Sequence, residues 1–286
     1  MKEWAFSINN VSVKMIDSVI LEKLKHKYNP EGSILRKQQM VMLHILENVA
    51  KICDDNDIDY WLSSGTLLGA YRHGGFIPWD DDLDIMILRK DLKRFREVMI
   101  KSLPADMVLQ DHSTDSDYYH PYLKIRDLNS RIYETGNEDI NYKYRGIYID
   151  VFPMEHSHLF LLHSTNIIWE PLLYKFILSR KKDPYGLKFA LNQLLYYTFS
   201  LLFGACRIVD RFFKTNNLNH SYGCYWKQTQ PISNIFPLKT IKFEGKDFKA
   251  PHKVTEWLAK AYGDYNALPK EEDIELHLTK IDFLPK

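Results

Sequence analysis

The 286-residue chain has the composition of a globular protein and almost no net charge. Hydrophobic residues make up 45% and charged residues 26%, and 38 Lys and Arg nearly balance 37 Asp and Glu, for a net charge of +1. This balance excludes disorder and argues against a nucleic-acid binder, which would carry a basic excess. Three widely spaced cysteines show neither zinc-site nor disulfide spacing, so we expect a reducing cytosol. Polar residues scattered through positions 1–30 predict no signal peptide.

The first predicted elements are a long helix and a short strand. Apolar residues recur at helical spacing over residues 35–54, and the acidic stretch 54–57 ends this helix. Residues 58–62 have the composition of a short strand that leads into the small polar segment 63–66. A helix that begins near Thr66 would aim its first backbone N–H groups at a phosphate.

The most informative segment is the 22-residue run from Gly65 to Met86. Glycine and proline interrupt its middle, and four aspartates, at positions 80, 81, 82 and 84, close it. Carboxylates held side by side repel one another and raise each other's pKa, so packing alone does not explain them. A divalent cation is the simplest way to keep several of them ionised in one place. The run therefore predicts a Mg²⁺-type site beside a small-residue loop, an arrangement suited to phosphate.

The acidic end of this run continues into a predicted strand. Over residues 82–88, Asp82 and Asp84 share one face while aliphatic residues take the other. A helix at 91–101 and strands at 122–126 and 146–153 follow. In the last strand Asp150 stands singly among apolar residues, where it could add a third carboxylate to the same site. This alternation predicts an α/β (α+β) fold for the first half.

The second half of the chain is apolar and largely helical in pattern. Residues 159–178 and 187–213 predict a pair of packed helices that cover the first half. An in-plane membrane helix and a true membrane span are the alternatives, because residues 191–209 approach transmembrane length but contain polar residues. We divide the chain into an N-terminal extension (1–34), a catalytic core (35–155) and a mostly helical C-terminal region (156–286) that packs on the core.

The run from Gly65 to Ile85 closely resembles the signature of the LicD family, the phosphocholine transferases related to fukutin. The similarity extends to a leading helix, two further strand segments and a C-terminal pattern, at residues 35–52, 124–127, 149–153 and 243–269. The resemblance implies a nucleotidyltransferase-like fold, a mixed sheet flanked by helices. Its site positions are Gly65 with Thr66, Asp82 with Asp84, and Asp150.

The resemblance also implies the chemistry. Family members typically take phosphocholine from CDP-choline and place it on a hydroxyl of a cell-surface glycan or its lipid-linked precursor, whereas fukutin-like relatives use CDP-linked polyol phosphates. We expect Asp82 and Asp84 to hold one or two Mg²⁺ ions, with Mn²⁺ as an alternative, against the donor diphosphate. Asp150 would ligate a metal or accept the proton of the acceptor, and CMP would leave.

Several neighbouring residues have two interpretations each. Arg72 and His73 are expected to contact the diphosphate or nucleotide, with an ion pair to the acidic cluster as the alternative. Lys124 is expected to meet phosphate, with a solvated strand lysine as the alternative. Asp80 and Asp81 either extend the metal site or end the turn after Pro78.

Three rival functions stay open, of which the last is a membrane-anchored scaffold built on residues 159–213. The first is a nucleotidyltransferase that moves NMP from an NTP to a small acceptor, which would use the same acids and release pyrophosphate. The second is a non-catalytic glycan-binding relative, although such proteins typically lose an acid and this chain keeps all three. The expected partners are a CDP-alcohol donor and a glycan acceptor, with no nucleic acid and with peripheral membrane contact through residues 159–213 as an option. The expected location is the cytoplasm, with the inner face of the plasma membrane as a variant of it.

Overall fold

The computed structural model of the chain describes residues 16–133, 139–177, 186–213, 215–224, 228–270, 272, 274 and 280–284. Residues 1–15, the first part of the predicted N-terminal extension, lie outside the described residues. The rest of the extension forms helix α1 (Ser18–Tyr28), which begins after Asp17 because that carboxylate accepts a hydrogen bond of 2.8 Å from the N–H of Val19.

Further helices follow along the described part of the chain. They are α2 (Ile34–Asp55), α3 (Ser64–His73), α4 (Leu92–Ser102), α5 (Leu159–Pro171), α6 (Leu187–Asp210), α7 (Ile232–Ile235) and α8 (Val254–Tyr262). A 3₁₀ turn at Arg89–Asp91 precedes α4, and a π-helical segment at Leu172–Ile177 continues α5. The helices predicted at 35–54 and 91–101 are confirmed as α2 and α4.

The strands, in chain order, are β1 (Tyr60–Leu62), β2 (Asp84–Leu88), β3 (Met107–Gln110), β4 (Leu123–Asp127), β5 (Ser130–Tyr133), β6 (Tyr148–Glu155), β7 (Asn217–His220), β8 (Thr229–Pro231), β9 (Lys239–Phe243), β10 (Lys246–Ala250) and β11 (Lys280–Phe283). The central sheet has the order β1-β2-β6-β4-β3, and β7 joins β6 to β8. The pair β2–β6 is parallel and the other pairs are antiparallel. This mixed sheet with flanking helices confirms the α/β class.

The centre of the sheet is buried on both faces, as expected for a parallel pair covered by helices. Ile85, Ile87 and Val151 on the two central strands have no exposed surface, and α2 packs Leu46 and other apolar residues against them. The strands predicted at 58–62, 122–126 and 146–153 are confirmed as β1, β4 and β6, with ends shifted by one or two residues.

The strand predicted at 82–88 begins at Asp84, so Asp82 lies just before it, and its placement on a strand face was wrong. The reason is a tertiary contact. The side-chain amide of Gln39 donates to the carbonyl of Asp80 at 2.8 Å, and that of Gln38 donates to the carbonyl of Asp81 at 2.9 Å. These bonds hold the residues before Asp84 in a loop against α2 instead of in the ladder.

Residues 156–286 contribute strands as well as helices. Strand β7 pairs with the C-terminal end of β6, and the β9–β10 hairpin contacts β1 and α3. At the tip of the hairpin, the Glu244 carboxylate accepts from the N–H of Phe76 at 3.1 Å and pairs with Arg36 at 2.8 Å. The C-terminal region therefore holds the loop that follows α3, which carries the acidic end of the motif.

Helices α5 and α6 pack around a second apolar cluster, which includes Trp169, Phe199 and Phe203. The rings of Trp169 and Phe199 lie 4.9 Å apart between centroids. Helix α6 is also long and apolar enough to cross a membrane by length and composition alone, with a mean hydropathy of 1.2. Only 22% of its most apolar stretch is buried, so α6 lies outside the apolar core along most of its length.

Candidate active site

The candidate site begins where β1 passes into α3. Ser64 has a φ of +49°, a left-handed conformation that a non-glycine residue adopts at a cost. Gly65 follows, and a Cβ at this position would lie 2.7 Å from the Oδ2 atom of Asp80. The absence of a side chain at position 65 thus lets the carboxylate of Asp80 lie directly against the backbone at the start of α3.

Thr66 connects α3 to the acidic strand. Its side chain is 3% exposed, and its hydroxyl oxygen accepts a hydrogen bond of 2.8 Å from the backbone N–H of Asp84. This bond occupies the position where β2 begins, so it sets the distance between the helix N-terminus and the first aspartate of the strand. Thr66 also lines the cavity described below.

Asp84 and Asp150 are direct neighbours across the parallel pair β2–β6. On the other side of β6, Lys124 of β4 is the register partner of Asp150, and its Nζ atom lies 2.9 Å from a carboxylate oxygen of Asp150. The ammonium group of Lys124 also lies 3.2 Å from the centroid of the Tyr148 ring, a cation–π contact. Lys124 is therefore a buried counter-ion of the site rather than a solvated strand lysine.

The loop before β2 adds further carboxylates. Oxygen atoms of Asp80, Asp81 and Asp82 lie within 4.8 Å of one another. Asp80 and Asp82 line the cavity together with Asp84 and Asp150. The structure thereby places Asp80 at the site, while the carbonyl of Asp81 is bound by α2.

These groups surround a cavity of about 320 Å³. Besides the four aspartates it is lined by residues of α3, β6, β7 and α8 and by one loop residue, namely Ser64, Gly65, Thr66, Phe152, His220, Gln228 and Tyr262. The cavity lies at the carboxyl-terminal end of β1 and the start of α3, and a helix N-terminus is a favourable position for an anion. Its volume is in the range of small-molecule sites.

Electrostatic repulsion within the cavity is strong. Burial raises the pKa of Asp84 well above its usual value, and the charges of Asp150 and Asp82 raise it further. Burial also raises the pKa of Asp150, although Lys124 opposes that shift. Burial and the neighbouring charges of Asp82 and Asp81 raise the pKa of Asp80 to about 8. A cluster that is this costly to ionise, built only of hard oxygen donors, fits a divalent cation such as Mg²⁺.

Two of the predicted site residues, Arg72 and His73, lie outside this cavity. Arg72 is 5% exposed and its guanidinium donates to the carbonyls of Tyr265, at 3.2 Å, and Ala267, at 2.8 Å. His73 is buried against the ring of Trp79. The structure thus places both at the far end of α3, where Arg72 ties the helix to the segment after α8, and their contact with substrate stays a prediction.

The sequence interpretation did not include His220, Gln228 or Tyr262 among the site residues. His220 is 3% exposed, and among the described residues neither of its ring nitrogens has a hydrogen-bond partner. Its ring packs against Phe152 at 5.4 Å. No local pattern marked His220, because it reaches the site through β7, which is distant in sequence. Tyr262 belongs to the segment that resembles the family's C-terminal pattern, and this was the available signal.

Three buried histidines each make a contribution by which acid destabilises the fold. Burial lowers the pKa of His73 and of His120 to about 3 and that of His220 to about 4, from an unfolded value of about 6.5. Such groups stabilise the fold fully above pH 6.5, and this stability is lost as the pH falls toward the folded pKa. Each histidine should lower the free energy of unfolding by up to about 1.4 kcal/mol per pH unit below pH 6. The raised pKa values of Asp80, Asp84 and Asp150 act in the opposite direction, so the histidine contribution is measured as a difference between variants.

Urea unfolding at pH 7, 6 and 5 tests this expectation. His73→Gln should lessen the slope, and His44→Gln, at an exposed position of α2, is the matched control. Identical slopes for the two variants would contradict the assignment of the acid effect to buried imidazoles.

Comparison with known proteins bears on this site. Residues 57–171, which include β1, α3, β2 and β6, match the family model described as LicD/FKTN/FKRP, nucleotidyltransferase domain. The lipopolysaccharide cholinephosphotransferase LicD of Haemophilus influenzae is 28% identical over 260 residues, which cover 85% of this chain and 95% of that protein. The chain therefore contains a LicD-type nucleotidyltransferase domain over residues 57–171.

Two further relatives share shorter segments with this chain. The human ribitol 5-phosphate transferase FKRP is 46% identical over 96 residues, which cover 32% of this chain and 18% of that protein. The mouse ribitol-5-phosphate transferase FKTN is 38% identical over 108 residues, which cover 38% of this chain and 20% of that protein. The matched LicD domain contains the four cavity aspartates and Lys124.

Proposed function

We propose that this LicD-type phosphotransferase moves phosphocholine, or a similar alcohol phosphate, from a CDP-alcohol to a hydroxyl of a cell-surface glycan or its lipid-linked precursor, and releases CMP. The observation that carries the proposal is the cavity in which Asp80, Asp82, Asp84 and Asp150 converge on the N-terminus of α3. Similarity to a cholinephosphotransferase over nearly its whole length supports choline as the alcohol, and the ribitol-phosphate relatives supply the alternative.

The metal in this proposal is Mg²⁺, with Mn²⁺ as the alternative. Asp82, Asp84 and Asp150 would hold it, with Asp80 as a further oxygen donor, because these carboxylates share one cavity and repel one another without a cation. Bound there, the ion would neutralise the donor diphosphate and the charge that develops on the leaving CMP.

The chain's own residues supply orientation and proton transfer. Gly65 and Thr66 would present the first N–H groups of α3 to the diphosphate. Asp150 accepts the proton of the acceptor hydroxyl, and Lys124 holds that carboxylate in place. The acceptor oxygen forms a bond to the phosphorus that bears choline, the bond from that phosphorus to the oxygen of CMP breaks, and the electron pair leaves with CMP. Arg72 and His73 lie at the far end of α3, and their predicted contact with the diphosphate or nucleotide is kept as part of the proposal.

The test is a titration of the purified protein with CDP-choline, CDP-ribitol, CDP-glycerol, CTP and ATP, with Mg²⁺ and with EDTA. We expect EDTA-sensitive binding of one CDP-alcohol and release of CMP on addition of glycan acceptor. Asp84→Asn should abolish the metal dependence. Preference for CTP or ATP with release of pyrophosphate would instead assign the chain to NMP transfer and overturn the proposal.

The proposal includes contact with the inner face of a membrane through α6. One side of α6 is buried against the rest of the protein through Phe199, Phe203 and Asp210. Lipid could not surround this side, so the packing disfavours a membrane-spanning orientation. Its other side is uncharged and exposes leucines, of which Leu194 is 63% and Leu201 77% exposed. A helix with protein on one side and an apolar stripe on the other suits an in-plane position in the lipid interface.

Liposome flotation tests this contact. We expect the full chain to float with vesicles that contain phosphatidylglycerol, and the double variant Leu194→Glu/Leu201→Glu to bind at least about tenfold more weakly, because each leucine loses about 1.5–3 kcal/mol of burial. Ile100→Glu, at an exposed position of α4, is the control. Undiminished flotation of the double variant would contradict membrane contact through α6.

A further inference from the structure

A second cavity, of about 400 Å³, lies beside the candidate active site and has no role in the chemistry described above. The 3₁₀ turn after β2, the segment between β3 and β4, and helices α5 and α6 enclose it. Its lining combines arginine side chains with many aromatic rings. We refer to it as the arginine cavity, after Arg89, Arg96 and Arg207.

The three arginines of this cavity differ in their partners. Arg207 forms two hydrogen bonds with the carboxylate of Glu155, at 2.7 and 3.1 Å, and Arg96 pairs with Asp111. Arg89 is partly buried, and among the described residues its guanidinium has neither a hydrogen-bond nor an ion-pair partner. Burial and the nearby charge of Arg207 lower the pKa of Arg89, and the charge of Glu155, which is itself hydrogen-bonded to Arg207, opposes that shift. A partly buried guanidinium beside a second one is stabilised by an anion that can accept its fork of N–H groups.

The arginine cavity is also lined by aromatic rings that carry polar groups, namely those of tyrosines and a histidine. Tyr119, Tyr196 and Tyr197 lie around His112, whose ring is 3.8 Å from that of Tyr196 between centroids. Tyr197 is 57% exposed and lies at the rim. Tyrosines offer an apolar face for the C–H side of a sugar ring and a hydroxyl for its polar edge. The lining therefore suits a sugar more than a purely apolar ligand.

The arginine cavity and the candidate active site share a wall. The ring of Tyr122, which lines the arginine cavity, packs at 4.7 Å against Phe152, which lines the active-site cavity two residues after Asp150. A ligand that fills the arginine cavity thus lies next to the strand that carries the proposed base.

Helix α6 contributes to both surfaces that an acceptor would need. Tyr196, Ser200, Phe203 and Arg207 recur at helical spacing and face the arginine cavity, whereas the leucine stripe lies on the exposed side of the same helix. A glycan attached to a lipid could therefore enter the cavity while its lipid stays in the membrane.

We propose that the arginine cavity binds the acceptor glycan, with a phosphate or carboxylate substituent of the glycan held by Arg89 and sugar rings held by the tyrosines. This inference rests on the proposed function and specifies its acceptor as an anionic glycan.

The test measures binding of glucose 6-phosphate, glucuronate, glucose and inorganic phosphate to the full chain by calorimetry. We expect the two anionic sugars to bind most tightly, and Arg89→Gln to weaken them at least tenfold. Arg94→Gln, an exposed arginine on the adjacent turn of α4, is the matched control and should bind like the wild type. Tyr197→Ala, at the rim, should weaken the sugars and leave inorganic phosphate unchanged.

The same titration separates this inference from the proposed function. CDP-choline binding in the presence of Mg²⁺ should be equal in the wild type and Arg89→Gln. Loss of CDP-choline binding in Arg89→Gln would assign the cavity to the donor and overturn the inference. Equal binding of inorganic phosphate and glucose 6-phosphate would show that the arginine cavity binds an anion without recognising the sugar, and would overturn the proposal that it binds a glycan. Failure of the wild type to bind any CDP-alcohol would overturn the proposed function alone.

Discussion

Replacement of Asp84 by asparagine is expected to lower phosphotransfer by about a thousandfold or more while the fold is retained. Asp84 is the first residue of β2 and the direct neighbour of Asp150, and its carboxylate is repelled by Asp150, Asp82 and Asp80. The amide has a similar shape but cannot neutralise a metal ion. Because the substitution removes a like charge from a buried cluster, the metal-free variant should be at least as stable as the metal-free wild type.

Thermal unfolding with and without Mg²⁺ gives a readout that does not depend on activity. A cation that binds only the folded state raises the melting temperature of the wild type, and this rise should be largely lost in Asp84→Asn. Asp247→Asn, a half-exposed acid on β10 that pairs with Lys242, is the control and should keep both activity and Mg²⁺ stabilisation. Full Mg²⁺ stabilisation of Asp84→Asn would show that the cation binds elsewhere.

Replacement of Lys124 by methionine is expected to destabilise the protein by about 3 kcal/mol and to abolish activity. Lys124 is 5% exposed, pairs with Asp150 at 2.9 Å and lies over the ring of Tyr148. Methionine keeps most of the side-chain volume, so the packing against Tyr148 is largely retained. The lost stability is therefore due to the carboxylate of Asp150, which remains buried without its counter-ion.

The double variant Lys124→Met/Asp150→Asn separates the two effects. Because it removes both charges, it should recover most of the stability in urea unfolding, and it should stay inactive. Lys246→Met, which removes an exposed lysine paired with Glu47, is the control and should change stability by less than about 1 kcal/mol. Equal instability of the single and double variants would show that the ion pair is not the source of the loss.

Local patterns were sufficient to predict most of the central elements. Helix α2 follows from apolar residues at helical spacing, and β6 follows from an apolar run with one aspartate. The aspartates at 82, 84 and 150 were predicted to share one site because clustered carboxylates repel one another and because Asp150 stands singly among apolar residues. The structure places all three on one cavity.

The structure differs from the sequence predictions at residues whose side-chain direction depends on tertiary packing. Arg72 follows Thr66 by six positions on α3, and at about 100° per residue this turns the two side chains far apart around the helix. The adjacency of Arg72 to the motif in sequence therefore carries no information about which side faces the cavity. Asp82 does not belong to β2, because the side-chain amides of Gln38 and Gln39 on α2 bind the carbonyls of the loop before it.

The sequence by itself determined the α/β pattern, the acidic cluster and the small-residue entry to α3, because each depends on residues close together in the chain. The tertiary structure decided which groups meet. It pairs Lys124 with Asp150, brings His220 and Tyr262 to the cavity, and places the guanidinium of Arg89, which has no partner within the described part of the chain, beside the tyrosines of α6. These contacts join segments separated by tens of residues. Their formation depends on sheet register and helix packing, which no local pattern encodes.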